Sequence, residues 1–311
     1  MRVTGNAFTE SLVDQLGRLT TRQNRLQSQA ASGQRVTLPE DDPVAMQRIL
    51  DLQSEAGKLG QYRENIANLG DTAKASYSVI SQLKKISDRA GELAVLADGT
   101  RSPEDLKLYA TEVNELLKQG VQVSNTQFQG NYLLSGTRSD QPPFTYTTDS
   151  EAKVTAVTFQ GNQSVPGAEI AQGTVVSVLT PGANDTGAGA RGLVTDSRFG
   201  ADFFNHLISL RDHLLAGDTN AIATMDRANL GNDEENLVHH VGENGIVQAR
   251  LEAAGSAATK QGDTMEALIS KQADADLAQT LVRLNQTQNA YRAALQSGAT
   301  LLSTSLLDYM H

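Results

Sequence analysis

The chain has no cysteine and no tryptophan among its 311 residues, and aromatic residues make up only 5% of it. Without cysteine there can be no disulfide, no thiolate nucleophile and no cysteine-ligated metal site. No apolar run is long enough for a membrane span, and the charged residues Asp14, Arg18, Arg22 and Arg25 interrupt residues 1–31. The N-terminus therefore lacks the hydrophobic core of a secretory signal, and composition alone predicts a cytoplasmic protein.

Basic residues are also scarce relative to acidic ones. The formal net charge is −10 and the pI is about 5.0. This balance argues against a nucleic-acid partner, because phosphates need concentrated Lys and Arg. All seven prolines lie at or before Pro181, so the rest of the chain lacks the residue that most strongly breaks helices. The length allows two or three domains.

The last stretch of the chain, Asp274 to His311, carries apolar residues at alternating spacings of four and three. This spacing predicts one long helix with a narrow apolar seam. No charge occurs between Arg292 and Asp308, so we expect neighbours on several faces of this helix. It would run roughly 57 Å, too far for one small domain to enclose. Some of its neighbours are therefore expected to be other copies of the chain.

The first stretch repeats the pattern, so the two ends are expected to pair. A single seam buries little surface, and each end should be only marginally stable until it finds a partner. An ordinary intramolecular coiled coil would have the same pattern. The predicted assembly residues are the apolar members of both seams: Phe8, Leu12, Leu19, Leu26, Leu277, Leu281, Leu284, Tyr291, Leu295, Leu302, Leu306 and Tyr309.

A short linker follows the first helix. Gly33 ends that helix, and two prolines then bracket three acidic residues, of which Asp42 can cap the next helix while Pro43 fits its first position. The predicted linker residues are Pro39, Asp41, Asp42 and Pro43. A long helix should run from there to Asp98, and Ser102 should start a second helix that folds back on it.

The glycine-bounded stretch 130–136 predicts a strand or tight hairpin. Between Phe144 and Thr180 the chain is rich in Thr, Val and Phe and predicts a small β-rich insert, with strands at 153–159 and 174–179. Helices are expected to return at Phe203 to Leu214 and from Thr219 to about Ala258. The second of these contains four glycines, each costing about 1 kcal/mol relative to alanine. We expect a neighbouring backbone packed closely against Gly231, Gly242, Gly245 and Gly255.

These segments predict a mainly α fold with a nested order. Residues 1–37 and 270–311 should form a terminal paired-helix domain. Residues 38–139 and 198–269 should form a helical bundle core with a short hairpin, and residues 140–197 a β-rich outer insert domain.

The sequence holds no convincing catalytic motif. Gly187 to Gly192 has the spacing of a dinucleotide-binding turn, but Pro181 and the residues after it separate the glycines from the candidate strand. His206 and His213 would lie roughly 10 Å apart on a helix, too far for one metal ion. We therefore predict no catalytic, cofactor or metal residues and no enzymatic activity. A soluble nucleotide-binding enzyme that uses the glycine-rich loop is the remote alternative.

Four stretches, in this order, resemble the bacterial flagellin and hook-associated protein family. They are Ser32–Val36 with Pro39–Pro43, Arg89 with Glu92–Val95 and Gly99–Thr100, Phe128–Thr137 with Pro142–Phe144, and Ala275 through Tyr291 to Tyr309. Gly91 departs from the pattern, since flagellins usually have arginine there. The resemblance covers nearly the whole chain except the β-rich insert.

The resemblance implies a flagellin-like nested helical bundle and a structural adaptor that joins the flagellar hook to the filament. Such a chain would be made in the cytoplasm, bound at its C-terminal helix by an export chaperone, and exported unfolded without a cleaved signal. It would then form a ring of identical subunits outside the cell, between a neighbouring hook-associated protein and flagellin or capping-side filament subunits. No nucleic acid, membrane or cofactor is implied. Flagellin itself is the alternative; Pro43, Pro142, Pro143 and the Leu306–Tyr309 ending favour the adaptor.

Overall fold

A computed structural model describes the backbone of residues 3–309 and the side chains of residues 10–300. The chain forms two compact units. Residues 1–58 and 260–311 make up the first, which we call the terminal unit, and residues 59–259 make up the second, which we call the body. The structure is mainly helical with short strands, so the predicted fold class is confirmed.

Seven α-helices and nine short strands form the described part of the chain. The helices are α1 (Val3–Ser32), α2 (Pro43–Leu96), α3 (Pro103–Ser124), α4 (Phe203–Ala216), α5 (Thr219–Ala221), α6 (Arg227–Ala273) and α7 (Leu277–Tyr309), with a π-helical turn at Ile222–Asp226. The strands are β1 (Gln127–Phe128), β2 (Asn131–Tyr132), β3 (Phe144–Thr148), β4 (Val154–Phe159), β5 (Ala168–Ala171), β6 (Thr174–Val176), β7 (Ala183–Asn184), β8 (Thr195–Asp196) and β9 (Ala201–Asp202).

The body holds the main hydrophobic core. The C-terminal half of α2 packs with α3 and α4 around fully buried leucines, among them Leu83, Leu117 and Leu207. A chain of aromatic contacts joins this core to the β region, with the rings of Phe144 and Phe204 5.4 Å apart. A smaller cluster packs Ile66 and Leu251 against residues of the β5–β6 region.

The strands of the body form four small sheets rather than one large one. β3 and β4 form an antiparallel hairpin in which Phe144 lies opposite Phe159. β5 and β6 form a second hairpin, and β1 and β2 a third. β8 pairs in parallel with β7 and antiparallel with β9. Because the sheets are small, the polar ends of the strands depend on side-chain partners: Asn114 of α3, for example, accepts from the backbone amide of Val154.

Several helix ends lie where the sequence predicts them. The side chain of Ser102 accepts from the amide of Asp105 at the start of α3. Gly217 adopts a left-handed conformation at the end of α4, with φ 71°, and Asp218 then caps the next turn. Both are local signals that operate within a few residues, and this is why sequence alone locates them.

Three expectations need correction. The last helix begins at Leu277 rather than at Asp274, because Asp276 accepts from the amide of Gln279 and caps α7 there. The helix predicted to end near residue 258 continues as α6 to Ala273. The close backbone expected against its glycines is absent, since a Cβ at Gly231, Gly242 or Gly245 would meet no described atom within 4 Å, and one at Gly255 would meet a side chain.

The domain boundaries stay a prediction. The two compact units divide at residues 58 and 260, whereas the sequence placed the edges of the terminal domain at 37 and 270. Helices α2 and α6 continue across the division without a break, so no local signal marks it.

Candidate functional site

The terminal helices α1 and α7 pack against each other as an antiparallel pair. Gly298 of α7 faces Leu12 of α1 so closely that a Cβ at position 298 would lie 2.5 Å from a Leu12 methyl group. Six α7 residues that lose solvent exposure recur at alternating spacings of four and three, and Gln288 lies beside them: Thr280, Leu284, Thr287, Tyr291, Ala294 and Gly298. α7 thus presents a seam of small and polar side chains, with Leu284 and Tyr291 between them, to α1.

Part of the predicted apolar ladder faces away from this pair. Leu277, Leu281 and Leu295 keep 48%, 50% and 46% of their surface exposed, while Leu284 and Tyr291 are half-buried. On α1, Leu26 is buried and Leu12 and Leu19 are half-buried. The pairing therefore uses one edge of the ladder and leaves an outer row of leucines on α7 in contact with water.

Four of the predicted assembly residues lie outside the residues whose side chains the structure describes. They are Phe8, Leu302, Leu306 and Tyr309. The contacts of these four side chains are therefore not tested here. The assembly role of the whole set stays a prediction.

The segment that follows α1 is hydrogen-bonded to the segment that precedes α7. Gln34 and Asp274 form an isolated antiparallel bridge, and the amide of Arg35 donates to the carbonyl of Ala273 at 2.6 Å. The amide of Ala275 donates to the carbonyl of Gly33 at 2.8 Å. Below this bridge, Val36, Ala45, Ile49 and Ala273 form the small core of the terminal unit. The joint after α1 is thereby tied to the joint before α7.

The two linker carboxylates shape the turn between α1 and α2. Asp41 accepts from the amides of Thr37 and Leu38, which lower the pKa of its carboxyl, and forms an ion pair with Arg25 at 3.0 Å. Asp42 accepts from the amide of Ala45 at the start of α2, and this bond, followed by that from Arg35, lowers its pKa. Pro43 is the first residue of α2, as predicted, and Pro39 is exposed. The linker is thus a structured turn held by its own carboxylates.

The body contains a Ser–His–Asp cluster that cannot act as a nucleophilic triad. His213 Nδ1 lies 2.7 Å from Asp226 Oδ2, and Ser209 Oγ lies 2.8 Å from Asp226 Oδ1. Ser209 is nearest the same ring nitrogen, at 3.5 Å. Activation of a serine requires it to meet the ring nitrogen opposite the one that the carboxylate holds. The cluster is therefore a bridge between α4 and the π-helical turn.

Two other histidines of the body, His206 and His240, have pKa values shifted in opposite directions by their surroundings. Burial opposes charge on His206, but its hydrogen bond to Asp233, at 2.8 Å, outweighs this and raises the pKa of His206 above 6.5. Burial lowers the pKa of His240 to about 4, while its ring donates through Nε2 to the carbonyl of Gly192. His206 thus favours the charged form and His240 the neutral form.

The glycine-rich loop does not have the geometry of a nucleotide site. Asn184 donates to the carbonyls of Ala188 and Ala190, so the loop is closed on itself. Gly192 is followed within three residues by a strand, β8, and the next helix, α4, begins only at Phe203. A dinucleotide-binding turn needs a helix to begin directly at the glycines, so that its N-terminus faces the pyrophosphate.

Other kinds of site are also missing from the part of the chain that the structure describes. No group of three or more His, Asp or Glu side chains is arranged to hold a metal ion. None of the described helices combines the length and apolarity needed to cross a bilayer. The candidate functional surface is the exposed apolar row of α7, because Leu277, Leu281 and Leu295 keep roughly half of their surface in contact with water.

Comparison with known proteins agrees with this architecture. Residues 5–139 match the bacterial flagellin N-terminal helical region. A solved structure of flagellar hook-associated protein 3 from Legionella pneumophila superimposes with a TM-score of 0.59 over 72% of this chain and 98% of that one, at 13% identity. The chain has a flagellin-like fold. The solved structure of FlgL from Xanthomonas campestris is also similar, with a TM-score of 0.58 and 16% identity. The match covers 70% of this chain and 99% of the Xanthomonas protein.

Sequence comparison adds curated relatives. Flagellar hook-associated protein 3 of Salmonella typhimurium is 32% identical over 128 residues, which are 40% of this chain and 40% of that protein. The protein of the same name from Escherichia coli is 32% identical over 120 residues, or 37% of each chain. The match thus spans well under half of these relatives. The resemblance predicted from the sequence is confirmed.

Sequence reasoning missed the polar part of the helix seam. Thr280, Thr287 and Ala294 lie on the face that meets α1, yet none has the large apolar side chain that the ladder was built from. They do share the spacing of four and three with Leu284, Tyr291 and Gly298. A search for small residues at heptad spacing would have found this seam.

Proposed function

We propose that this flagellin-like chain is a structural adaptor of the bacterial flagellum that joins the hook to the filament. The names of the curated relatives and the fold support this reading. The observation that carries it is the outer row of half-exposed leucines on α7, because apolar side chains at heptad spacing on a helix favour packing against another helix.

The terminal unit is the part that we assign to assembly. The α1–α7 pair would pack against equivalent pairs in neighbouring copies, so that assembly supplies the burial that the single chain lacks. A head-to-side contact between identical subunits can close into a ring or continue a helical lattice. Its neighbours would be a hook-associated protein on the hook side and flagellin or capping-side subunits on the filament side.

We also propose how the chain reaches its site. It would be made in the cytoplasm, bound at α7 by an export chaperone, and carried outside the cell as an unfolded chain without a cleaved signal. The exposed apolar row of α7 would suit a chaperone before assembly and a neighbouring subunit after it. The absence of cysteine fits a chain that must unfold and refold, since no disulfide has to be broken.

Flagellin, the alternative, is less well supported. The matched N-terminal region is named for flagellin. The curated relatives, however, are hook-associated proteins over a span that exceeds a third of each chain. We therefore prefer the junction role.

Replacement of two outer leucines tests the proposal. Leu281→Asp with Leu295→Asp should abolish binding of the full chain to the tips of isolated hooks and should abolish swimming, because charge would enter the subunit contact. The body should still unfold at the unaltered temperature. Immunogold labelling of hooks and swimming assays measure the first two results, and calorimetry measures the third.

A matched control uses the body. Val238 and Ile246 of α6 are also exposed, at 48% and 71%. Val238→Asp with Ile246→Asp introduces the same charge and should preserve hook-tip binding. Normal swimming by the α7 double variant would refute the assignment of α7 to assembly, and labelling along the whole filament would favour flagellin.

A further inference from the structure

The charges of the terminal helices are separated along their length. The acidic residues of α1 are Glu10 and Asp14, and its basic residues, Arg18, Arg22 and Arg25, all follow them. In α7 the basic residues are Arg283 and Arg292, and the one acid, Asp308, lies ten residues beyond Gly298. Because Gly298 faces Leu12, the acids of both helices belong to the same end of the pair.

The arginine-bearing part of the pair is unusual in an acidic protein. Residues 15–32 of α1 and 277–300 of α7 contain five arginines and no acidic residue, although the chain as a whole carries a net charge of −10. All five arginines are exposed. Arg25 is paired with Asp41 of the linker.

Four of the α1 charges lie on one stripe and have no ion-pair partner among the side chains that the structure describes. Glu10, Asp14, Arg18 and Arg22 follow one another at intervals of four, so they lie on one side of the helix, and all are exposed. None of them forms an ion pair with any residue whose side chain is described. The leucines that meet α7 lie elsewhere on the helix surface, so Glu10, Asp14 and Arg18 lie away from the contact. Arg22, at the other end of the stripe, borders the groove between α1 and α7 and stays exposed there.

We propose that the α1 stripe binds the α1 stripe of a second copy of this chain, with the two copies parallel and offset by two helical turns. The offset is eight residues, or about 12 Å. Glu10 and Asp14 of one copy then lie opposite Arg18 and Arg22 of the next. The inference deepens the proposed function and rests on it, since a head-to-tail contact that repeats between identical copies keeps them all in one orientation.

Charge complementarity identifies the occupant. In-register parallel copies would oppose like charges at all four positions, which repel. An offset of eight residues turns both acidic positions into favourable contacts and leaves the remaining arginines for the next copy or for solvent. An antiparallel pair could also match the charges, but it cannot continue in one direction as a polymer does.

Charge reversal on the full chain tests the complementarity. Glu10→Arg with Asp14→Arg makes the stripe wholly basic, and Arg18→Glu with Arg22→Glu makes it wholly acidic. Each double variant should bind hook tips about tenfold less than the original chain, since attraction becomes repulsion at each contact. The quadruple variant, which carries all four changes, should recover binding, because it restores opposite charges at the same offset.

A matched control lies on α2. Asp51 and Glu55 have the same spacing of four and are exposed. Asp51→Arg with Glu55→Arg changes the net charge by as much as the first double variant and should retain hook-tip binding. Equal loss in this control, or failure of the quadruple variant to recover while it remains folded by circular dichroism, would overturn the proposal.

Introduced cysteines test the offset, because the chain has none of its own. Asp14→Cys with Arg22→Cys keeps Glu10 and Arg18 in place. The two cysteines are about 12 Å apart on one helix, beyond the ~7 Å Cα separation that a disulfide tolerates, so any disulfide must join two copies. On assembled hooks, mild oxidation should give a ladder of linked copies in the double variant and none in either single variant.

The outcomes separate this inference from the proposed function. If the original chain does not bind hook tips, the proposed function fails. If it binds and a single-cysteine variant links to itself, the copies are in register and the offset is wrong. If it binds, assembles as the double-cysteine variant and gives no ladder, the stripe does not meet its copy and the inference is overturned.

Discussion

The terminal unit and the body differ in how much of their hydrophobic surface they bury. Among the side chains that the structure describes, five of the buried core residues lie in the terminal unit and thirty-eight in the body. Nine of the nineteen exposed large hydrophobic residues nevertheless belong to the terminal unit, which is the smaller of the two. The body buries most of its large hydrophobic side chains, whereas the terminal unit leaves many of its own in contact with water.

Charge separates the same two regions. The terminal unit contains eleven Lys and Arg against twelve Asp and Glu, whereas the body contains fifteen against twenty-four. A nearly neutral unit experiences little self-repulsion when copies come together, and an acidic body stays soluble. Burial and charge therefore both support our proposal that the terminal unit, and not the body, makes the contacts of assembly.

The largest expected difference is in amide exchange of the monomer. Amides of α4 should exchange at least about a thousandfold more slowly than those of residues 10–32 and 277–300, because the terminal helices open without unfolding the body. Hydrogen–deuterium exchange read by mass spectrometry measures this. Equal protection in both regions would remove the contrast on which the assembly proposal depends.

Leucine truncation should separate the two regions by stability. Leu207 is fully buried in the body, so Leu207→Ala should lower the free energy of unfolding of the body by about 2–5 kcal/mol. Leu26→Ala, at a buried position of the terminal unit, should leave the body's urea midpoint unaltered and increase exchange only in α1 and α7. A common loss of midpoint in both variants would mean that the two regions unfold as one.

Acid should act on the body through His240. Its pKa in the folded chain is about 4, below the ordinary value of 6.5. As pH falls from 6.5 to 4, His240 binds a proton in the unfolded chain but stays neutral in the folded chain. The free energy of unfolding therefore falls by about 3 kcal/mol over this range. Urea unfolding at pH 7 and pH 4.5 should show a smaller acid loss in His240→Gln than in the original chain. His239→Gln, at an adjacent half-exposed histidine, is the matched control and should keep the full loss.

Glycine replacement gives the smallest effect and probes the helix pair alone. Gly298→Val puts a side chain against Leu12 and should weaken the α1–α7 contact by about 1 kcal/mol despite its better helix propensity. Gly17 has no described atom within 4 Å of an added Cβ, so Gly17→Ala should strengthen α1 by up to about 1 kcal/mol. Exchange rates in α1 should rise in the first variant and fall in the second.

The sequence by itself determined the features that depend on neighbours along the chain. The caps at Ser102 and Asp218, the start of α2 at Pro43 and the left-handed end of α4 at Gly217 all follow from backbone hydrogen bonds within a few residues. The apolar ladder showed that both ends are helical, and ordered motifs showed the resemblance to flagellin-like proteins.

Only the tertiary structure decided which edge of each ladder is used. Spacing alone cannot say whether Leu281 or Thr280 faces α1, because the two rows that contain them repeat with the same period and differ only by a rotation of about 100° about the helix axis. Gly298 lies close to Leu12, so α7 packs on α1 through the edge that carries its small residues. Two helices come nearest where their side chains are smallest. The same choice leaves Leu281 and Leu295 exposed, and the surface proposed for assembly is what this packing does not cover.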